Sequence, residues 1–283
     1  MDINSQIDSN AVALDSRNFG ALPTHLSKDW MIGFASTKKS NLKHSEKAII
    51  EIINSCNLDC PMCRVGQYGL NQNRIMPLKE FMKIISQIDG LKTVRLNGLG
   101  ESTLTPNFDK YLDYLIEKRL DIELITNGSG KLEIYKKILN NSGFVIISWD
   151  AAEKEIFEKL RRPARWEAFT KKIKELTSDS SGSELRKIAL LFTLQESNMD
   201  QLSKLVLKCK EWKIINVIVN VIKDNENGWI EGKIGDIESE FISANKLSIE
   251  NGINLFLPSQ VLGHKILIDG AFSTNSEKCE MPW

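Results

Sequence analysis

Six short apolar runs rich in β-branched residues recur along the chain: "AIIEIIN" (48–54), "TVRLNG" (93–98), "DIELITNG" (121–128), "FVIISWD" (144–150), "KIALLFTL" (187–194) and "INVIVNVI" (215–222). Each has the length of a buried strand, and the intervals between them leave room for helices. Strands that alternate with helices imply a parallel sheet with right-handed crossovers. Six units are fewer than the eight of a closed barrel, so the expected class is α/β: a partial, TIM-like (βα)6 barrel with its chemistry at the C-terminal ends of the strands.

The intervening stretches carry the helical stripe of apolar residues at i, i+3, i+4 and i+7. Leu78, Phe81, Met82 and Ile85 form one such stripe; Phe108, Tyr111, Leu112, Leu115 and Ile116 form another. Thr105 followed by Pro106 reads as an N-cap and first-turn pair for the second of these helices. Leu202, Leu205, Val206 and Cys209 share a third stripe, which makes Cys209 a small core residue in preference to a ligand. Residues 1–45 are polar and weakly periodic, an N-terminal extension. The glycines and asparagines of "DNENGWIEGKIGD" (224–236) predict a long loop. There is no internal repeat and no low-complexity segment.

Composition narrows the function classes. With 283 residues the chain can bury a substantial core. Its 37 basic and 37 acidic residues balance, so no charge excess points to nucleic acid. No run reaches the ~18 apolar residues of a membrane span, and "MDINSQIDSNAVALDSRN" lacks a secretion signal. A cytoplasmic location is therefore expected, where clustered thiols more often hold metal than disulfides.

Three of the five cysteines sit in "INSCNLDCPMCRVG" (53–66), spaced C-x3-C-x2-C directly after the first strand. A structural zinc site normally closes with four ligands in two separated pairs. No second pair exists here, and His25, His44 and His264 are remote in sequence. Three thiolates suit a [4Fe–4S] cluster with one cysteine per iron, which leaves one iron open. Zinc completed by a distant residue, or three unmetallated thiols, remain as other readings of the spacing.

C-x3-C-x2-C after the first strand of a βα chain resembles the signature of the radical S-adenosylmethionine (SAM) superfamily. The resemblance implies that Cys56, Cys60 and Cys63 ligate a [4Fe–4S] cluster whose open iron binds SAM through its amino and carboxylate groups. It also implies reductive cleavage of SAM to a 5′-deoxyadenosyl radical that abstracts hydrogen from substrate. "NGLGES" (97–102) resembles the family's G-G-E element: Gly98 and Gly100 let the backbone approach a ligand, and Glu101 supplies a carboxylate for an ammonium group. An ordinary strand-to-helix turn would also use these glycines. "TNG" (126–128), with Asn127, is again family-like, or a plain Asn-Gly turn. "SWDAAEKEIFEKLR" (148–161) resembles the stretch in which Ser-x-Asp ends a strand and an arginine follows on the next helix. By that resemblance Ser148, Asp150 and Arg161 contact SAM, a planar guanidinium being suited to a carboxylate. The alternative for Arg161 is a helix C-terminal charge, and "RRPAR" offers Arg162 and Arg165 as competitors; Arg161 is the favoured reading. The chain departs from the pattern at Met62, where the family usually has an aromatic residue. The resemblance spans roughly residues 48–222.

The C-terminal "CEMPW", with Cys279 and Trp283, resembles the opening of the cysteine-rich SPASM extension, or the shorter twitch, found in one branch of the superfamily. The expected division is therefore 1–45 extension, 46–258 partial barrel and 259–283 the beginning of a truncated SPASM/twitch segment. An auxiliary iron–sulfur cluster at Cys279 would need further cysteines. The branch implies a small-molecule or peptide substrate and an electron donor such as flavodoxin or ferredoxin, without naming a catalytic proton donor or acceptor. The competing class is a non-catalytic iron–sulfur or zinc protein, or an inactive scaffold.

Overall fold

The computed structural model describes residues 45–63, 74–222, 228–258, 260–261, 264–265 and 272–274. Strands β1 (Lys47–Ile50), β2 (Thr93–Leu96), β3 (Asp121–Thr126), β4 (Gly143–Ser148), β5 (Ile188–Leu194), β6 (Asn216–Val221) and β7 (Asn254–Pro258) line up in sequence order. All neighbours pair in parallel, and β10 (Phe272–Thr274) adds to the far edge beside β7. A separate antiparallel pair joins β8 (Gln260–Val261) to β9 (His264–Lys265). The helices are α1 (Leu78–Ser86), α2 (Phe108–Glu117), α3 (Leu132–Leu139), α4 (Lys154–Leu160), α5 (Trp166–Ser178), α6 (Gly182–Leu185), α7 (Leu202–Glu211) and α8 (Ile234–Asn251).

The six expected strands are all present, and the sheet goes further, because β7 and β10 extend it to eight strands. Their runs, "NLFLP" and "FST", carry neither a period-2 alternation nor a β-branched run. Both lie beyond the last helix, α8, and the long loop expected over 224–236 ends early to make room for it. Glu231–Lys233 form a 3-10 turn and α8 starts at Ile234, held by Ile237, Phe241 and Ala244, which are all fully buried. Gly232 and Gly235, among the residues that suggested a loop, are not there for close packing: a Cβ added at either would meet nothing within 4 Å.

Alternation along each strand divides the sheet into two faces. Val94, Leu96, Ile122, Leu124, Val145 and Ile147 turn to the helices and join the main core. The opposite, inner face is apolar on one side, where Ile146, Ala189, Leu191, Ile218 and Phe256 form a second cluster across β4–β7. On the other side it is charged: Glu123 accepts from Arg95 Nε at 2.7 Å and from Lys47 Nζ at 2.8 Å, all three side chains being buried. Pairing lets these charges occupy an interior that would exclude any one of them alone.

The N-cap of α2 is not Thr105. The helix opens at Phe108 behind Asn107, which adopts the left-handed conformation (φ 54°) that asparagine tolerates. Thr105 instead closes the 3-10 turn Ser102–Leu104, and its buried hydroxyl has no hydrogen-bond partner among the described residues. The cap of that turn is Glu101.

Candidate active site

Beyond β1 the chain leaves the ladder with β2. Ile53 bridges antiparallel to Ile75, Met76 N donates to Ile52 O (2.7 Å), and Asn54 N donates to Arg74 O (3.2 Å). This lifts the cysteine segment over the C-terminal end of the sheet. Leu58 and Cys60 then turn into the core, whereas Cys56 and Cys63 are half-buried; Cys63 N donates to Cys60 O at 3.0 Å. None of the four described cysteines forms a disulfide. Among the described residues no three His, Cys, Asp or Glu side chains converge on a point where one metal ion could bind them.

The loop after β2 packs against this segment. Glu101 N donates to Ser55 O at 2.8 Å. A Cβ added to Gly100 would lie 2.7 Å from Ser55 N and closer still to Ile53 O, so only glycine allows the approach. The Glu101 carboxylate is buried and saturated on one side. Oε1 accepts from Thr103 N (3.1 Å), Thr103 Oγ1 (2.6 Å) and Thr126 Oγ1 (2.8 Å), and Oε2 accepts from Asn127 N (2.6 Å). Glu101 thus ties the β2 loop to the end of β3.

The third wall comes from β4. Past Ser148, Trp149 turns into the aromatic core against Phe157 and Trp212, and Asp150 becomes fully buried. Asp150 Oδ1 accepts from Thr193 N at 2.8 Å, and Oδ2 forms an ion pair with Arg161. Burial raises the Asp150 carboxyl above its ordinary value, and the Arg161 cation opposes the rise. Both charges also act on Cys60: burial pushes its thiol up to about 12, Arg161 working against that and Asp150 with it. Three cysteines on one loop, a cation buried beside the deepest of them, and a glycine that admits the neighbouring loop all suit an anionic cluster.

The family profile described as "Radical SAM superfamily" matches residues 50–202, more than half of the chain. The chain belongs to the radical SAM superfamily. Its fold resembles those of several solved structures. SuiB of Streptococcus suis bound to precursor peptide SuiA aligns with TM-score 0.60 and 18% identity, over 82% of this chain and 51% of that one. anSMEcpe with bound AdoMet gives 0.59 and 18%, over 75% and 63%. A radical SAM methyltransferase from Sphaerobacter thermophilus gives 0.56 and 12%, over 74% and 64%. The chain thus spans about half the length of SuiB. None of the curated proteins compared matches it.

Within this radical SAM fold, the residues expected from sequence fall into one region. Cys56, Gly100, Glu101 and Asn127 are joined through direct contacts; Cys60, Asp150 and Arg161 form a second group beside them. Gly98 sits against Glu51, whose carboxylate accepts from Leu99 N. Ser148 ends β4, half-buried on the same side as Asp150. Arg161 is the C-cap of α4, one residue past the helix. Met62 is half-buried against the core, and Cys279 lies outside the described residues.

Sequence reasoning missed the residues that brace these loops. Lys172 Nζ on α5 donates to the carbonyls of Gly128, Ser129 and Gly130 at 3.0, 2.9 and 2.7 Å. Fully buried Asn198 donates to Asp150 O (2.8 Å) and Thr193 O (3.0 Å). A lysine on an amphipathic helix and an asparagine in "QESNMD" carry no local signal of either role.

Proposed function

We propose that this chain is a radical SAM enzyme in which Cys56, Cys60 and Cys63 hold a [4Fe–4S] cluster and the surrounding loops hold SAM. The observation that carries the reading is the match of residues 50–202 to the superfamily profile, which takes in all three loop cysteines, with the buried Arg161–Asp150 pair close enough to act on the charge of Cys60. The reduced cluster would supply the electron that cleaves SAM, and the 5′-deoxyadenosyl group would then take a hydrogen atom from substrate.

The chain's own residues orient and exclude water. Arg161 keeps a buried Nε–H without a partner among the described residues, a donor suited to a carboxylate oxygen of SAM. Glu101 Oε2 accepts one N–H and retains a lone pair for an ammonium donor. Gly98, Gly100, Asn127 and Ser148 complete the cofactor set. The barrel unit is read as residues 46–258, preceded by an extension (1–45) and followed by a SPASM/twitch-like segment (259–283) in which Cys279 would serve an auxiliary cluster only with further cysteines.

The substrate is read as a peptide or small molecule; SuiB is bound to a precursor peptide, and anSMEcpe has been solved with AdoMet and the Cp18Cys peptide. A flavodoxin or ferredoxin of the cytoplasm would deliver the electron. No described helix is long and apolar enough to cross a membrane.

Anaerobic reconstitution with iron and sulfide tests the ligand set. The protein should take up about four irons, Cys56→Ala, Cys60→Ala or Cys63→Ala should abolish the chromophore, and Cys209→Ala should keep it. A chromophore that survives Cys60→Ala would overturn the assignment.

A further inference from the structure

The side chain of Asn127 is fixed at both ends. Its Oδ1 accepts from Ser129 N at 2.8 Å, which identifies the oxygen and turns the amide nitrogen the other way. That Nδ2 donates to Asn57 Oδ1 at 3.0 Å and meets Cys56 Sγ at 3.5 Å, a normal length for a bond to sulfur. The two amide hydrogens thus have two acceptors, one of them a sulfur proposed above as an iron ligand. The backbone is held as firmly: Asn127 N donates to Glu101 Oε2 at 2.6 Å, and Lys172 clamps the three carbonyls that follow. Asn127 itself is buried, between exposed Asn57 and half-buried Cys56. Leu58 N gives the same sulfur a second donor at 3.4 Å.

We infer that Asn127 is a positioning residue that tunes the cluster, its side-chain N–H to Cys56 Sγ raising the reduction potential. The inference rests on the ligand assignment proposed above. Adding an electron increases negative charge on the cluster and its thiolate sulfurs, so a rigid donor aimed at one of them stabilises the reduced form more than the oxidised form. The backbone donor from Leu58 belongs to the cysteine loop itself. Asn127 directly follows β3, 71 positions away, and couples the cluster's electronic state to the loop that also carries Glu101's bond.

The test is an EPR-monitored redox titration of the reconstituted protein beside Asn127→Ala and Asn127→Asp, with iron counted in each. Asn127→Ala should keep its iron. Its reduced-to-oxidised ratio at a fixed potential should fall about tenfold, a downward shift of about 59 mV for one electron. Asn127→Asp keeps the shape but replaces the donor by an acceptor, and should shift further in the same direction. Unchanged potentials in both variants would overturn the inference, as would loss of iron from both, because a residue that merely holds the loop would cost cluster assembly. Failure of the unmodified protein to take up iron would instead overturn the ligand assignment, and this inference with it.

Discussion

Arg161 pairs with Asp150 beside Cys60, and the two side chains of the pair are 10% and 0% exposed. Truncating Arg161 to alanine leaves a carboxylate in the interior with only the Thr193 N–H for company. Loss of one partner of a buried pair costs about 3–5 kcal/mol. Arg161→Ala should therefore lower stability by that amount in urea unfolding, and a loss below 1 kcal/mol would mean that the pair is solvated.

The two glycines of "NGLGES" should respond differently to alanine. At Gly100 the new methyl meets the backbone of Ile53 and Ser55, which cannot move without shifting the cysteine segment. At Gly98 it meets Glu51 Oε1 and Cγ, which move if the side chain rotates and gives up its bond to Leu99 N, but also Glu51 Cβ at 2.6 Å, which rotation does not move. Gly100→Ala should cost about 3 kcal/mol or more and reduce iron uptake, and Gly98→Ala about 2 kcal/mol. Thermal melts and iron content check both.

Glu101 accepts four hydrogen bonds, so its removal strands buried donors on two loops. Glu101→Ala should destabilise by about 3 kcal/mol, by lost bonds and unmet donors. Glu101→Gln keeps Oε1 for the two threonines but turns an amine toward Asn127 N, and should cost about half as much. Equal losses in the two variants would contradict the division of labour between the oxygens.

Cys209 supplies the pH dependence. Burial raises its thiol above the ordinary 9.0. The unfolded chain therefore releases this proton at lower pH than the folded protein does. Its contribution to stability is fully present below pH 9 and falls as pH rises beyond it. Cys209→Ala should show a shallower loss of stability above pH 9 than the parent, and native protein at pH 8 should resist alkylation at Cys209 until unfolded.

What could be read from sequence depended on how local each feature is. The first six strands were legible because parallel strands buried on both faces leave near-continuous apolar runs. Their ends were less so: Ile52 and Ile53 continue the pattern of β1 but are covered by the 74–76 segment and not by the ladder. β7 and β10 were missed because three apolar residues, or "FST", match no period. The cysteine spacing is local and was read directly, as were the motifs after β2 and β4. The contacts among them were not: Asn127 reaches Cys56 across 71 positions and Lys172 reaches Gly128 across 44, distances set by loop geometry that no spacing encodes. The N-cap expected at Thr105 failed because a 3-10 turn, Ser102–Leu104, precedes α2: Thr105 closes that turn, Glu101 caps it while bonded to Thr126 and Asn127 far along the chain, and α2 opens behind Asn107.

The most direct measurement is the yield of 5′-deoxyadenosine after SAM is added to the anaerobically reconstituted and reduced protein. The account predicts that it forms with the unmodified chain and with Cys209→Ala, and that it is lost on Cys60→Ala. A four-iron protein that leaves SAM intact, or cleavage that persists without Cys60, would contradict it.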